Sequence, residues 1–142
     1  MPGIRRTPRE SNTEEGRSRL ATRLLIAEDE PSILESLVFI LGREGYSIAT
    51  ARDGREALEC LKTHGAPGLL ILDVMLPAVS GFEVLKAVRT EPELEAVPVL
   101  MLTAKGQARD RQMAEQMGAN AFIAKPFSNQ DVVQAVRRLA AP

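Results

Sequence analysis

The 142-residue chain has no tryptophan, one tyrosine, one histidine and one cysteine, and aromatic side chains make up only 4% of it. Each scarcity excludes something. One cysteine, Cys60, cannot close an intramolecular disulfide, which fits a reducing compartment. Lying among the apolar positions of a helical segment, it reads as packing rather than chemistry. The one histidine, His64, has no Cys or His partner near it in sequence and stands at a helix end, where it reads as a capping or surface residue. With no tryptophan and Tyr46 alone among tyrosines, the chain has little with which to sandwich a flavin ring. No apolar run approaches the ~18–20 residues of a membrane span. The N-terminus is polar and lacks the apolar segment of a signal peptide, so the expected location is the cytoplasm.

Charge of one sign is also missing. The formal net charge is −1, but it is divided unevenly: residues 1–23 carry net +3, and the remainder net −4. A mildly acidic folded part with no Lys/Arg cluster along one helix does not have the footprint of a nucleic-acid reader. The apolar fraction of 44% is enough for a core, and the length fits one domain. Residues 1–21 contain Pro2, Gly3, Pro8 and Gly16 among many charges and have no apolar period. They read as a flexible leader, with the folded domain over 22–142.

What is present from Thr22 onward is strict alternation. Short apolar runs at Leu24–Ala27, Ser47–Ala49, Leu69–Leu72, Val99–Leu102 and Ala121–Ala124 alternate with amphipathic segments of helical length. That pattern predicts βαβ units: an α/β fold with a five-stranded parallel sheet, doubly wound, with helices on both faces. Pro31 suits the first position of a helix whose stripe is Ile33, Leu34, Leu37, Ile40 and Leu41. Asp53 with Glu56, Ser80 with Glu83 and Ser128 with Asp131 have the spacing of N-terminal caps for the second, third and fifth helices. The fourth helix, between Gly106 and Gly118, has a thin stripe of Ala108, Met113, Ala114 and Met117. It is expected to be the least stable of the set.

Reactive side chains fall at the ends of these runs. Glu28 and Asp29 follow the first, Asp73 the third, Thr103 the fourth and Lys125 the fifth. Open parallel sheets bind ligands at the carboxyl ends of their strands. Four strands therefore bring three carboxylates, a hydroxyl and an ammonium to one edge. Three carboxylates so close cannot all stay ionised without a cation to screen them, and a hard divalent ion such as Mg²⁺, which shares its shell with phosphate, answers that need. Lys125 then suits one phosphoryl oxygen and Thr103 another, with Asp73 between metal and lysine as the nucleophile for an acyl phosphate. A plain buried salt bridge between Lys125 and one carboxylate accounts for one pair only, leaving two acids and the threonine unexplained.

The segments LLIAEDEP, LILDVMLP, VLMLTA and GANAFIAKPF together resemble the four signature stretches of response-regulator receiver domains of bacterial two-component signalling, in order and spacing, over residues 22–140. The resemblance implies the flavodoxin-like fold with strand order 2-1-3-4-5. It implies that Asp73 is the phosphoacceptor, that Asp29 binds Mg²⁺ directly and Glu28 through water, and that the backbone carbonyl of Met75 completes the shell. Thr103 and Lys125 would hold the phosphoryl oxygens, and the Lys125–Pro126 bond would be cis. Glu28 stands where an aspartate is commoner. Phe122 corresponds to the family's aromatic switch: Thr103 moves toward the phosphoryl group and the ring rotates into the space left. A Phe122 fixed in the core is the competing reading. Met75 and Lys105 occupy positions that affect phosphoryl lifetime in related proteins.

The implied partners are a histidine kinase or phosphotransfer protein as donor and a downstream protein or output domain as target. The face of the fourth helix, fifth strand and fifth helix is the contact surface and a possible homodimer interface. Nucleic acid and membrane are not expected as direct partners. A signalling domain is expected rather than an enzyme: metal-dependent phosphatases that use an aspartyl phosphate place a second acid two residues after the nucleophile, and here that residue is Met75. A phosphorylation-independent interaction module on the same fold is the remaining alternative.

Overall fold

The computed structural model describes residues 22–104 and 107–140. The leader expected over residues 1–21 and Lys105 lie outside the described residues. Five strands, β1 (Arg23–Ala27), β2 (Ser47–Ala51), β3 (Leu69–Asp73), β4 (Val99–Ala104) and β5 (Ala121–Lys125), alternate with five helices. These are α1 (Pro31–Arg43), α2 (Gly54–His64), α3 (Gly81–Thr90), α4 (Ala108–Gln116) and α5 (Asn129–Leu139). All strand pairs are parallel, in the order β2-β1-β3-β4-β5. The reversal of strand order falls between β1 and β3, whose carboxyl ends carry Glu28 and Asp73.

Alternation within each strand assigns side chains to two cores. Leu24, Ile26, Leu69, Ile71, Leu100 and Leu102 pack with Leu37 and Leu41 of α1 and Val132 and Val136 of α5. Leu25, Leu70, Leu72 and Met101 pack on the other face with α2, α3 and Ala114 of α4. Central β3 is buried along its whole length, which is why Leu69–Leu72 reads as a continuous apolar run rather than an alternating one.

The caps form as their spacing requires. Asp53, Ser80 and Ser128 each accept a hydrogen bond from the amide three residues on, that of Glu56, Glu83 and Asp131. Pro31 begins α1. His64 ends α2, and Cys60 packs half-buried against the core. Helix α4 departs from its expected stripe. Only Ala114 is buried, Met113 is 42% exposed, and the N-terminal Gln107 provides no side-chain cap. The helix is thus anchored by Ala114 and by Met117 at its C-cap, which packs partly buried against the core.

Candidate functional site

Three strand ends build the floor of the site. The Glu28 amide donates to the carbonyl of Ala51 and the Val74 amide to that of Leu102, so both acids leave the sheet from hydrogen-bonded backbone. Glu28 is fully buried, Asp73 is 3% exposed, and Asp29 is exposed. One carboxylate oxygen from each of the three lies within 4.8 Å of the others. Lys125 closes the group: its Nζ donates to Asp73 Oδ2 at 2.7 Å and lies 3.1 Å from Glu28 Oε1. The Lys125–Pro126 peptide bond is cis.

The remaining carboxylate oxygens have backbone partners. Asp73 Oδ1 accepts from the Met75 amide at 3.0 Å, and Glu28 Oε2 accepts from the Glu30 amide at 2.9 Å. Glu28 Oε1 is buried yet makes no hydrogen bond; the ammonium near it contributes charge, not alignment. Burial, partly opposed by the Glu30 amide and reinforced by Asp73, pushes Glu28 up from 4.5 to about 7. Lys125 is pulled the opposite way by burial, but Asp73 and then Glu28 outweigh it and hold its pKa above the ordinary lysine value.

A buried carboxylate oxygen that accepts no hydrogen bond, in a cluster of three carboxylates with one lysine, belongs to a donor set that fits a hard divalent cation with oxygen ligands. Glu28, Asp29 and Asp73 are the side chains that could hold it.

Thr103, buried near the end of β4, pairs in register with Ala124, and Ala104 pairs with Lys125. Hydroxyl and ammonium therefore leave neighbouring strands one residue apart. Phe122 is not in the site. It pairs with Met101, two residues before Thr103 on the same face of the sheet, and packs half-buried against the core beneath α4. The Met75 side chain is 70% exposed at the mouth. Beside Lys125 an open groove of about 470 Å³ runs between α1 and the loop after β5, lined by Ile33, Ala104, Pro126 and Phe127.

Three features were not anticipated from sequence. A Cβ on Gly81 would collide with the carbonyl oxygen of Asp73, and one on Gly54 with that of Val79, so both glycines let the loop after β3 lie close to its neighbours. Arg89, at the end of α3, donates to the carbonyls of Glu95, Val97 and Gly118 and to Asn120 Oδ1. The Arg111 guanidinium of α4 stands 4.9 Å from the centroid of the Phe122 ring. Ser80-x-x-Glu83 marks the helix beginning at Gly81, but nothing local marks the two arginines.

Comparison with known proteins agrees with this geometry. The response regulator receiver domain model matches residues 24–137, and the chain belongs to that family. It is 41% identical over 126 residues to the alkaline phosphatase synthesis transcriptional regulatory protein PhoP of Bacillus subtilis (strain 168), covering 84% of this chain and 51% of PhoP. The chain spans about half the length of the curated relatives it matches. Among solved structures, the signal receiver domain of a signal transduction histidine kinase from Syntrophus aciditrophicus superimposes with TM-score 0.78 and 35% identity, covering 84% of this chain and 90% of that one. The receiver domain of sensor histidine kinase PA1611 from Pseudomonas aeruginosa PAO1, solved with a magnesium ion coordinated in its active-site cleft, superimposes with TM-score 0.77 and 25% identity, covering 84% and 97%.

Proposed function

We propose that this receiver domain takes a phosphoryl group on Asp73 from a histidine kinase or phosphotransfer protein and passes the change to a partner through α4, β5 and α5. The observation that carries this is the Lys125 ammonium set between the Asp73 and Glu28 carboxylates, with Asp29 completing a three-acid cluster. In the transfer, a bond forms from Asp73 to phosphorus as the donor's bond to the phosphoryl group breaks. Lys125 leaves its pairing with Asp73 for a phosphoryl oxygen, and the Thr103 hydroxyl donates to another. Each such contact contributes about 2–4 kcal/mol in the transferring state, by analogy with oxyanion donors.

Mg²⁺, held by Glu28, Asp29, Asp73 and the Met75 carbonyl, would neutralise the carboxylates and the charge on the phosphoryl oxygens when bound. The donor approaches along the groove beside Lys125. The domain assists its own phosphorylation and dephosphorylation and acts as a switch rather than as an enzyme on a separate substrate.

Phe122 couples Asp73 to the output face: as Thr103 moves toward the phosphoryl group, the ring turns into the space it leaves. Loosely held α4 is the element that responds, and self-association through α4, β5 and α5 on phosphorylation is one readout. Among the described residues no helix is long and apolar enough to cross a membrane, and we place the domain in the cytoplasm. Residues 22–142 form the receiver, preceded by a leader.

Intact mass after incubation with Mg²⁺ and a small-molecule phosphodonor tests the proposal. The expected result is a gain of one phosphoryl group that requires Mg²⁺ and is lost in Asp73→Asn. No gain, where a control receiver labels, would transfer the assignment to the phosphorylation-independent interaction module.

A further inference from the structure

Phe39 is 65% exposed, in the middle of α1 and on the helix's outer surface. Glu35 lies four residues before it and Arg43 four residues after, both exposed. Residues four apart lie on one ridge of a helix, roughly 6 Å apart along its axis. The ridge therefore reads acid, ring, base, with the ring at its midpoint. Ser36 and Gly42 flank it, and the space around Gly42 is open.

Such a ridge is complementary to itself when reversed. If a second α1 crosses antiparallel at Phe39, the two rings meet on the twofold axis. Glu35 of each helix then faces Arg43 of the other. Within the chain the Arg43 guanidinium stands 5.6 Å from the centroid of the Phe39 ring, and neither Arg43 nor Glu35 makes an ion pair with another described residue. The parallel alternative would set like charges together. Small Ser36 and Gly42 leave room for the ridge-into-groove crossing of about −50° that this row favours. Twofold pairing of one patch with itself is also the commonest route to a closed dimer.

We infer that α1 is a self-association surface, with a second copy of this chain as its occupant, centred on Phe39 and held by reciprocal Glu35–Arg43 pairs. It borders α5, with which Phe39 and Arg43 line a shallow groove, and needs no phosphorylation. One helix pair is small for an interface, so the dimer is expected to be weak.

Sedimentation equilibrium of the full, unphosphorylated chain from about 10 μM to 1 mM, a range set by the expected weakness, provides the test. Glu35→Arg and Arg43→Glu are each expected to weaken association about tenfold, and the double variant to restore it. Phe39→Ser should abolish it. Circular dichroism melts serve to confirm that each variant is folded. A chain monomeric throughout the range overturns the inference and leaves the ridge to a different protein. Association that the double variant does not recover overturns the pairing as well.

Discussion

Glu28 Oε1 stands 3.1 Å from the Lys125 ammonium and accepts no hydrogen bond, although Glu28 is wholly buried. The folded protein therefore tolerates this carboxylate poorly in its ionised form. A pKa raised to about 7 from 4.5 means that the folded state holds the proton while the unfolded chain has released it. Stability from this group is then fully present below pH 4.5 and is lost as pH rises through about 7. Lys125, with its pKa raised, stays charged across that window and loses its contribution only above the ordinary lysine range.

Glu28→Gln is expected to raise metal-free stability at pH 8 by on the order of 2 kcal/mol, several degrees in Tm, and to add nothing at pH 4. It should also weaken the stabilisation expected from Mg²⁺ at pH 8 if Glu28 helps to hold the ion. Thermal melts of both proteins at the two pH values, with and without Mg²⁺, check this. Equal responses to Mg²⁺ in both would sink the assignment of Glu28 to the metal site.

Two glycines provide a matched pair. Gly81→Ala drives a methyl group into the Asp73 carbonyl and is expected to cost about 1–3 kcal/mol while slowing labelling of Asp73, because the strain falls on the acceptor's own backbone. Gly42→Ala meets nothing within 4 Å and should stabilise by about 0.5–1 kcal/mol, as helical glycine replacements do. Urea denaturation with intact-mass labelling measures both, and equal effects would refute the close-approach argument.

Arg89 ties the end of α3, the loop before β4 and the turn after α4 through one planar group. Arg89→Lys keeps the charge but loses the fork, leaving carbonyls at Glu95, Val97 or Gly118 without their donor. A loss of about 2 kcal/mol is expected, with faster amide exchange at Ala119 and Asn120, whose amides bond across this turn. A stability within about 0.5 kcal/mol of wild type would show that lysine or water replaces the fork.

These positions mark what sequence did and did not disclose. Leu69–Leu72 and Val99–Leu102 were legible because a strand buried in a doubly wound sheet has to be apolar. Glu28, Asp73 and Lys125 were legible because strand ends in such a sheet converge. The observed strands extend further, as β2 to Ala51 and β4 to Ala104, because the hydrogen-bonded ladder, not hydrophobicity, sets their ends. Met113 read as part of α4's stripe yet faces solvent: a helix this polar has no strong preference for which side it buries. Arg89 and Arg111 carry no local signal, since their roles depend on where carbonyls and a ring some 6–31 positions away arrive in space.

Arg111 supplies the last prediction. Its guanidinium over the Phe122 ring is a cation–π contact between the helix and the residue proposed to switch beneath it. At a partly exposed site the contact is worth about 0.5–1 kcal/mol. It favours the resting arrangement by that amount only if turning the ring breaks it. Arg111→Ala then shifts the population toward the activated form, and the affinity for a phosphoryl mimic such as beryllofluoride with Mg²⁺ should rise about two- to fivefold. Arg111→Lys should lie between the two. In a Phe122→Ala background the Arg111 effect should vanish, because the cycle isolates the pair. Beryllofluoride titrations followed by NMR give all five affinities. A lowered affinity in Arg111→Ala would mean that the contact persists in the activated form and that α4 moves together with the ring.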